Sequence, residues 1–301
     1  MDNDSWIKKN LSAHYRKLKL KFNYMGEGLD SEFLGNQRIG EAIKSGKPFM
    51  CVRLGAVESR CVDKWINKKK FSTDNLDQIH YAAGVFPQKV SVIEEFCDIY
   101  TQSLQNVDIL GVWGVVGERR IFKKYCPNTK LIPLRSIEPY YHSEPWSKEL
   151  KGKKVLIVHP FVDSIKEQYK KRESLFNNAA ILPNFKNLIL IKAIQSNAGG
   201  TSGFDSWSKA LEFMKAEITK SEFDIAIIGA GAYGLPLAAH VKALGKQAIQ
   251  MAGSTQVLFG VKGKRWDNHP FISKLYNENW IRPKIQETPP KINKVEGGSY
   301  W

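Results

Sequence analysis

Short apolar runs alternate along this chain with longer stretches whose apolar positions recur at helical spacing. PFMCVRL (48–54), VDILGVW (107–113), Lys130 to Leu134, VLIVHPF (155–161), Asn187 to Ile194, Asp224 to Ile228 and Gln247 to Met251 read as strands. Between them, Asn36 to Lys44, Ser72 to Tyr81, Lys89 to Asn106, a stretch opening at Glu118, Pro145 to Gly152, Asp163 to Phe176, Phe204 to Lys220 and a segment closed by Gly245 read as helices. Six or seven strands alternating with helices predict an α/β, Rossmann-like fold: a mainly parallel sheet with helices on both faces. The pattern divides the chain into a basic helix and loop (1–34), the α/β domain (35–266) and an irregular, proline-rich tail (267–301) that packs on the domain. Tyr300 and Trp301 give that tail an apolar end with which to dock.

Composition narrows the partners. A formal charge of +15, from 45 Lys and Arg against 30 Asp and Glu, favours anions: nucleotide phosphates, anionic lipid headgroups or nucleic acid. Nucleic acid ranks last, because the basic residues are dispersed and no helix-turn-helix, RNP or finger motif gathers them. No apolar run is long enough to span a bilayer and the first 22 residues lack a signal-peptide centre, so a cytoplasmic protein is expected. Trp6 to Phe22 mixes apolar and basic residues, which suits either peripheral contact with an anionic membrane or an ordinary amphipathic helix. Cys51, Cys61, Cys97 and Cys126 have no metal-binding spacing and are expected as reduced, buried thiols.

The most distinctive stretch is Phe223 to Trp266, where an apolar run meets Gly229, Gly231 and Gly234 in the spacing G-x-G-x-x-G. Small residues there let backbone N–H groups and a helix N-terminus approach a phosphate. They equally permit close packing of helix on strand. A dinucleotide site also asks for an acid about 20 residues on, to hold a ribose. This chain has Ala252, Gly253 and Ser254 there, and then Gln256, Lys262, Lys264 and Arg265. The reading is a phosphate-binding βαβ unit, with an NAD(P)-dependent sugar oxidoreductase as an alternative.

Other chemistry-bearing residues also stand at strand ends. Arg53, Gly55 and Glu58 follow the first strand; Arg135, Glu138, Tyr140 and Tyr141 follow the third; His159 ends the fourth. Arg53 suits a phosphate or carboxylate, and Glu58 suits a metal, a sugar hydroxyl or the work of a base. An Arg53–Glu58 salt bridge, a loop anchored by tyrosines and a satisfied structural histidine are the competing readings. All carboxyl ends of a parallel sheet lie on one edge, so these residues, with Trp113, Gln195 and Gly229 to Tyr233, are expected around a single crevice.

Arg53-Leu54-Gly55-Ala56-Val57-Glu58, Gly84 to Pro87, Asp108 to Trp113, Leu134 to Tyr141, Pro145-Trp146, Val155 to Phe161 and Asp224 to Trp266 together resemble the bacterial glycosyltransferases of the GT-D fold. They resemble still more a related, uncharacterised group of polysaccharide-associated proteins. The first motif is similar to R-x-G-D-G-E, whose Asp-x-Glu element is associated with a divalent metal and a sugar-nucleotide donor; here Ala56 replaces the Asp. The resemblance implies transfer of a sugar from a nucleotide sugar to a glycan or lipid-linked acceptor in surface polysaccharide synthesis. It implies Arg53, Arg135, Lys262 and Arg265 on phosphates and Gly229 to Gly234, Tyr233, Ser254 and Gln256 about the donor. Glu58 is then base or ligand to Mn²⁺ or Mg²⁺, and Glu138 and His159 are further candidates for the base. With Ala56 in place of the Asp, three outcomes are open: a weakly held ion, a substitute ligand such as Asp63, or basic side chains in its stead. A non-catalytic nucleotide- or glycan-binding component is a third reading.

Overall fold

The computed structural model describes residue 18, residues 20–197, 203–292 and 297–301. Most of Trp6 to Phe22 and most of the Gly199 to Gly203 loop lie outside the described residues.

Seven strands form one sheet in the order β3-β2-β1-β7-β6-β4-β5, every neighbouring pair parallel. They are β1 (Phe49–Arg53), β2 (Ile109–Val112), β3 (Lys130–Pro133), β4 (Lys154–His159), β5 (Asn187–Lys192), β6 (Ile225–Ile228) and β7 (Gln247–Gln250). The α/β expectation holds, with the sheet wholly rather than mainly parallel. Strands covered on both faces need continuous apolar runs, which is what β4 supplies. Its Val155, Leu156, Ile157 and Val158 are each 0% exposed, worth about 1.5–3 kcal/mol apiece.

The helices are α1 (Glu32–Lys44), α2 (Ala56–Ile66), α3 (Thr73–Ala83), α4 (Val90–Leu104), α5 (Glu118–Tyr125), α6 (Val162–Lys170), α7 (Trp207–Thr219), α8 (Gly234–Ala243) and α9 (Ser254–Leu258). On one sheet face, Val62 of α2, Ile79 of α3, Phe96 of α4, Ile121 of α5, Leu211 of α7 and Leu237 of α8 share a core. On the other, Ile39 of α1, Ile165 of α6 and Val257 of α9 share a second. Several expected boundaries move, and Pro145 to Gly152 forms a 3₁₀ helix at Trp146–Leu150. Ser31 caps α1 by accepting from the Leu34 N–H at 3.1 Å, so that helix starts before Asn36. The helix expected over Asp163 to Phe176 breaks after Lys170 and continues as a 3₁₀ turn at Arg172–Ser174.

Helix placement opens the crevice. The chain leaves β1 toward the first face through α2 and leaves β7 toward the second through α9. Adjacent parallel strands whose connections diverge in this way leave a gap at their carboxyl ends. The same divergence recurs between β7 and β6 and between β6 and β4. All four cysteines are buried free thiols, and among the described residues no helix is long and apolar enough to cross a membrane.

Candidate functional site

A crevice of about 590 Å³ runs along the carboxyl edge of the sheet, lined from all seven strand ends. Arg53, Gly55, Ala56, Glu58, Glu138, His159, Gly229, Gly231, Tyr233, Ser254, Gln256 and Arg265 line it. Arg135, Gly234 and Lys262 do not.

At the β1 end, the Arg53 guanidinium lies 4.7 Å from the centre of the Trp113 ring. The Trp113 indole is itself fixed by donating Nε1–H to the Leu54 carbonyl at 2.9 Å. The Arg53–Glu58 salt bridge is not formed: among the described residues Arg53 makes no ion pair, and its charge rests on the indole face. Its backbone N–H donates to Gln250 Oε1 of β7 at 2.9 Å, which joins the two strands flanking the gap. Glu58 stands in the first turn of α2, and its carboxylate folds back over Gly55, where a Cβ would overlap it.

The β3 end supplies Glu138, which accepts from Ser254 Oγ–H at 2.5 Å. Burial raises the Glu138 carboxyl above the usual carboxylate range, against the Ser254 hydrogen bond and the charges of Arg135 and Arg53. Arg135 points away and stacks over Tyr141 at 5.0 Å, and Tyr141 stacks on Phe271 at 4.3 Å. The tyrosine-anchored loop is therefore realised beside the crevice, with Arg135 in that stack and not in the lining.

His159 is 2% exposed. Its Nδ1 accepts the Phe161 N–H at 3.0 Å, which places the ring proton on Nε2. Burial lowers its pKa to about 3. The imidazole is therefore neutral at pH 7 and presents a donor, so this nitrogen is not in the form of a base.

The three glycines of the turn divide by role. A Cβ at Gly229 would stand 2.5 Å from His159 Cδ2 and 2.7 Å from both the Ala252 carbonyl and Thr255 Oγ1. One at Gly234 would stand 2.9 Å from Gln250 Cγ. Both are packing glycines. Gly231 has φ +52° and would meet little but the Ala83 carbonyl at 3.9 Å, so it serves the backbone turn. No side chain caps α8; the Gly234 N–H donates to the Gly231 carbonyl, and Gly234 to Leu237 do not line the crevice. Tyr233 is anchored on the protein side, stacked on Trp207 at 5.2 Å and hydrogen-bonded through its hydroxyl to Ser196 at 2.9 Å. Gly229→Ala is expected to lower unfolding free energy by about 1–3 kcal/mol, read as a lowered melting temperature. An unchanged melt would show that the turn is not packed as described.

After β7 the chain passes Ala252, a non-glycine residue at φ +52°, a conformation that concentrates at ligand sites. Beyond it, Arg265 lies over Tyr300 at 4.9 Å and Trp266 at 5.6 Å. Tyr300 packs on Gly253, and its carbonyl accepts from Gln256 Nε2 at 3.0 Å. Lys262 is set over the Tyr276 ring at 5.3 Å, outside the lining. Trp113 and Gln195 line the crevice as expected, and Trp266, His269, Tyr300 and Trp301 line it without having been read from the sequence as site residues. Only the terminal aromatic pair carried a signal.

The residues do not fit a resident Mn²⁺ or Mg²⁺. Among the described residues no three His, Cys, Asp or Glu side chains gather as a cage. Ala56 offers no oxygen, and Asp63, the possible substitute, is held by Arg120 at 2.5 Å and does not line the crevice. A hard cation needs several oxygen ligands; the crevice carboxylates are Glu58 and Glu138, and the second is tied to Ser254.

No family model and no curated protein matches the chain. Two solved structures are similar to it over most of their length. One is described as a selenomethionine-substituted structure of domain of unknown function 1792, with 13% identity, 86% of this chain and 92% of the other covered, and a TM-score of 0.47. The other is described as domain of unknown function 1792 having a distinct glycosyltransferase fold, with 14% identity, 85% and 96% coverage and a TM-score of 0.45. Nothing about activity follows from likeness at this level.

Proposed function

We propose that this protein is a glycosyltransferase. It moves a sugar from a nucleotide-sugar donor to a glycan or lipid-linked acceptor in surface polysaccharide synthesis. The observation that carries the reading is one crevice holding two arginines and two carboxylates among aromatic rings. Loss of a nucleoside diphosphate develops negative charge on the leaving oxygens, which fixed cations and backbone N–H groups stabilise. Arg53 and Arg265 are the groups in place. Glu58 takes the proton of the acceptor hydroxyl as that oxygen bonds to the anomeric carbon and the carbon–phosphate oxygen bond breaks. Glu138, bound to Ser254, orients the reacting groups. No acidic side chain follows β7 where a dinucleotide ribose would need one, which weighs against the oxidoreductase.

The test is turnover of a panel of nucleotide sugars by the purified protein, read as release of free nucleoside diphosphate. Release is expected with one nucleotide class and is expected to persist in EDTA, since the cations are side chains. Release that stops in EDTA and returns with Mn²⁺ would overturn the assignment of charge stabilisation to the arginines. No binding of any nucleotide sugar, with or without Mn²⁺, would sink the function itself.

A further inference from the structure

Leu18, Phe22 and Met25 recur at i, i+4 and i+7, the spacing of one helix face. Residues 20–23 are helical, and the turn closes with the Met25 N–H on the Phe22 carbonyl at 3.3 Å. The three side chains are 54%, 73% and 71% exposed. The opposite face already holds the segment to the fold. Leu20 packs against the core of the first sheet face, with its Cδ1 3.8 Å from where a Cβ at Gly114 would stand. Tyr24 is buried beside Phe122, and its hydroxyl donates to Glu118 at 2.9 Å. Packing within the chain therefore gives no reason for the outward stripe to be apolar. More exposed apolar side chains gather at the same end of the sheet. Val116, 60% exposed, lies in the turn after β2. Phe33 and Leu34, 60% and 50% exposed, open α1 beside Gly35, which packs on Ser136 just after β3. The group thus stands around the carboxyl ends of β2 and β3, on the side of the crevice that Trp113 lines. Single exposed apolar residues are ordinary, whereas a group of them marks a contact surface.

A basic row borders this group. Arg119, Arg120, Lys123 and Lys124 of α5 are exposed, as is Lys21 on the segment itself. Glu27 meets Arg119 at 2.9 Å and Lys123 at 2.7 Å, which joins the end of the apolar segment to α5. The carboxylate partners are the more covered members: the side chains of Glu27 and Asp63 are 20% and 16% exposed, those of Arg119, Lys123 and Arg120 49%, 50% and 55%. The outer surface is left positive. We propose that this face docks on an anionic lipid bilayer. Phe22, Met25 and Phe33 enter the headgroup boundary, and the cations of α5 lie against lipid phosphates. A second copy of the chain fits less well, because a twofold contact through the same patch brings like charges together. Docked in this way, the β2 side of the crevice mouth faces the bilayer, where a lipid-linked acceptor would be held.

Co-sedimentation of the full chain with vesicles, of phosphatidylcholine alone or mixed with phosphatidylglycerol, reads the contact at low and high salt. Vesicle binding needs neither donor nor turnover, so its failure is distinct from failure of the transferase reading. Binding is expected to the mixed vesicles, weakening as salt screens the charges, with little to phosphatidylcholine alone. Phe22→Ser combined with Met25→Ser should lower partitioning by roughly tenfold or more. Lys21→Gln combined with Lys124→Gln should lower it by on the order of tenfold and flatten its salt dependence. All four side chains are exposed, so the melting temperature of each double variant should hold. No binding to the mixed vesicles, or binding that neither pair of substitutions weakens, would overturn the proposal. So would a dimer in sedimentation equilibrium that Phe22→Ser with Met25→Ser returns to monomer, because a second copy would then cover the stripe.

Discussion

Glu58→Gln is expected to slow release of the nucleoside diphosphate by on the order of 10²–10⁴-fold, with the melting temperature little changed. The carboxylate sits in the first turn of α2, where the helix N-terminus favours its ionised form by about 0.3–1 kcal/mol. Glutamine keeps the size of the side chain over Gly55 and removes only the basicity, so the folded structure loses little beyond that helix-end term. The measurement is kcat and KM for the donor found in the panel, with a thermal melt of the same preparation. A normal kcat would overturn the assignment of the base to Glu58. Glu138→Gln, run alongside, separates the two carboxylates. Glu138 is tied to Ser254 and held above the usual carboxylate range by burial, so a loss there as large as at Glu58 would move the base to it.

The strands were legible because burial on both faces leaves a run such as VLIV no polar position, and that run became the centre of β4. α2 was harder. Its sequence, AVESRCVDKWI, opens behind a glycine that makes no side-chain cap, so the usual start signal is missing. The edge on which the site sits followed from parallel topology alone, since a parallel sheet places every carboxyl end together. Arg53, Glu58, Glu138 and His159, spread over more than a hundred positions, meet there.

What could not be read was direction. A glycine that lets a phosphate approach and one that lets a strand approach are the same residue in a sequence. Only the surroundings of Gly229 and Gly231 separate packing from turn. Arg135 and Lys262 carry the charge expected of phosphate ligands, yet each lies over a tyrosine ring outside the crevice. Gln256 was expected about the donor. It borders the crevice, and its amide Nε2 fastens the Tyr300 segment. His159 illustrates the point at atomic scale: its type suggests a base, and one backbone N–H on Nδ1 turns its crevice side into a donor.

Arg53→Met is expected to lower kcat/KM by about 10²–10³-fold, the loss typical of removing one preorganised group from a developing anion. Methionine is chosen because it keeps an apolar side chain against the Trp113 ring, so packing survives while charge is lost. The size of the effect follows from preorganisation. The guanidinium is stacked at 4.7 Å on an indole that is pinned to the Leu54 carbonyl. Little reorganisation is then needed when charge appears on the leaving phosphate. Arg53→Lys should fall between the two, keeping the charge but losing the flat face that the ring holds. The division between kcat and KM decides the role. If Arg53 stabilises the departing diphosphate, kcat falls with kcat/KM; a rise in KM alone would make it a ground-state phosphate ligand. Arg265→Met should cost less, because that side chain is exposed and borne on the turn after β7. A larger loss at Arg265 than at Arg53 would place the leaving phosphate against Tyr300 and Trp266 instead of against β1.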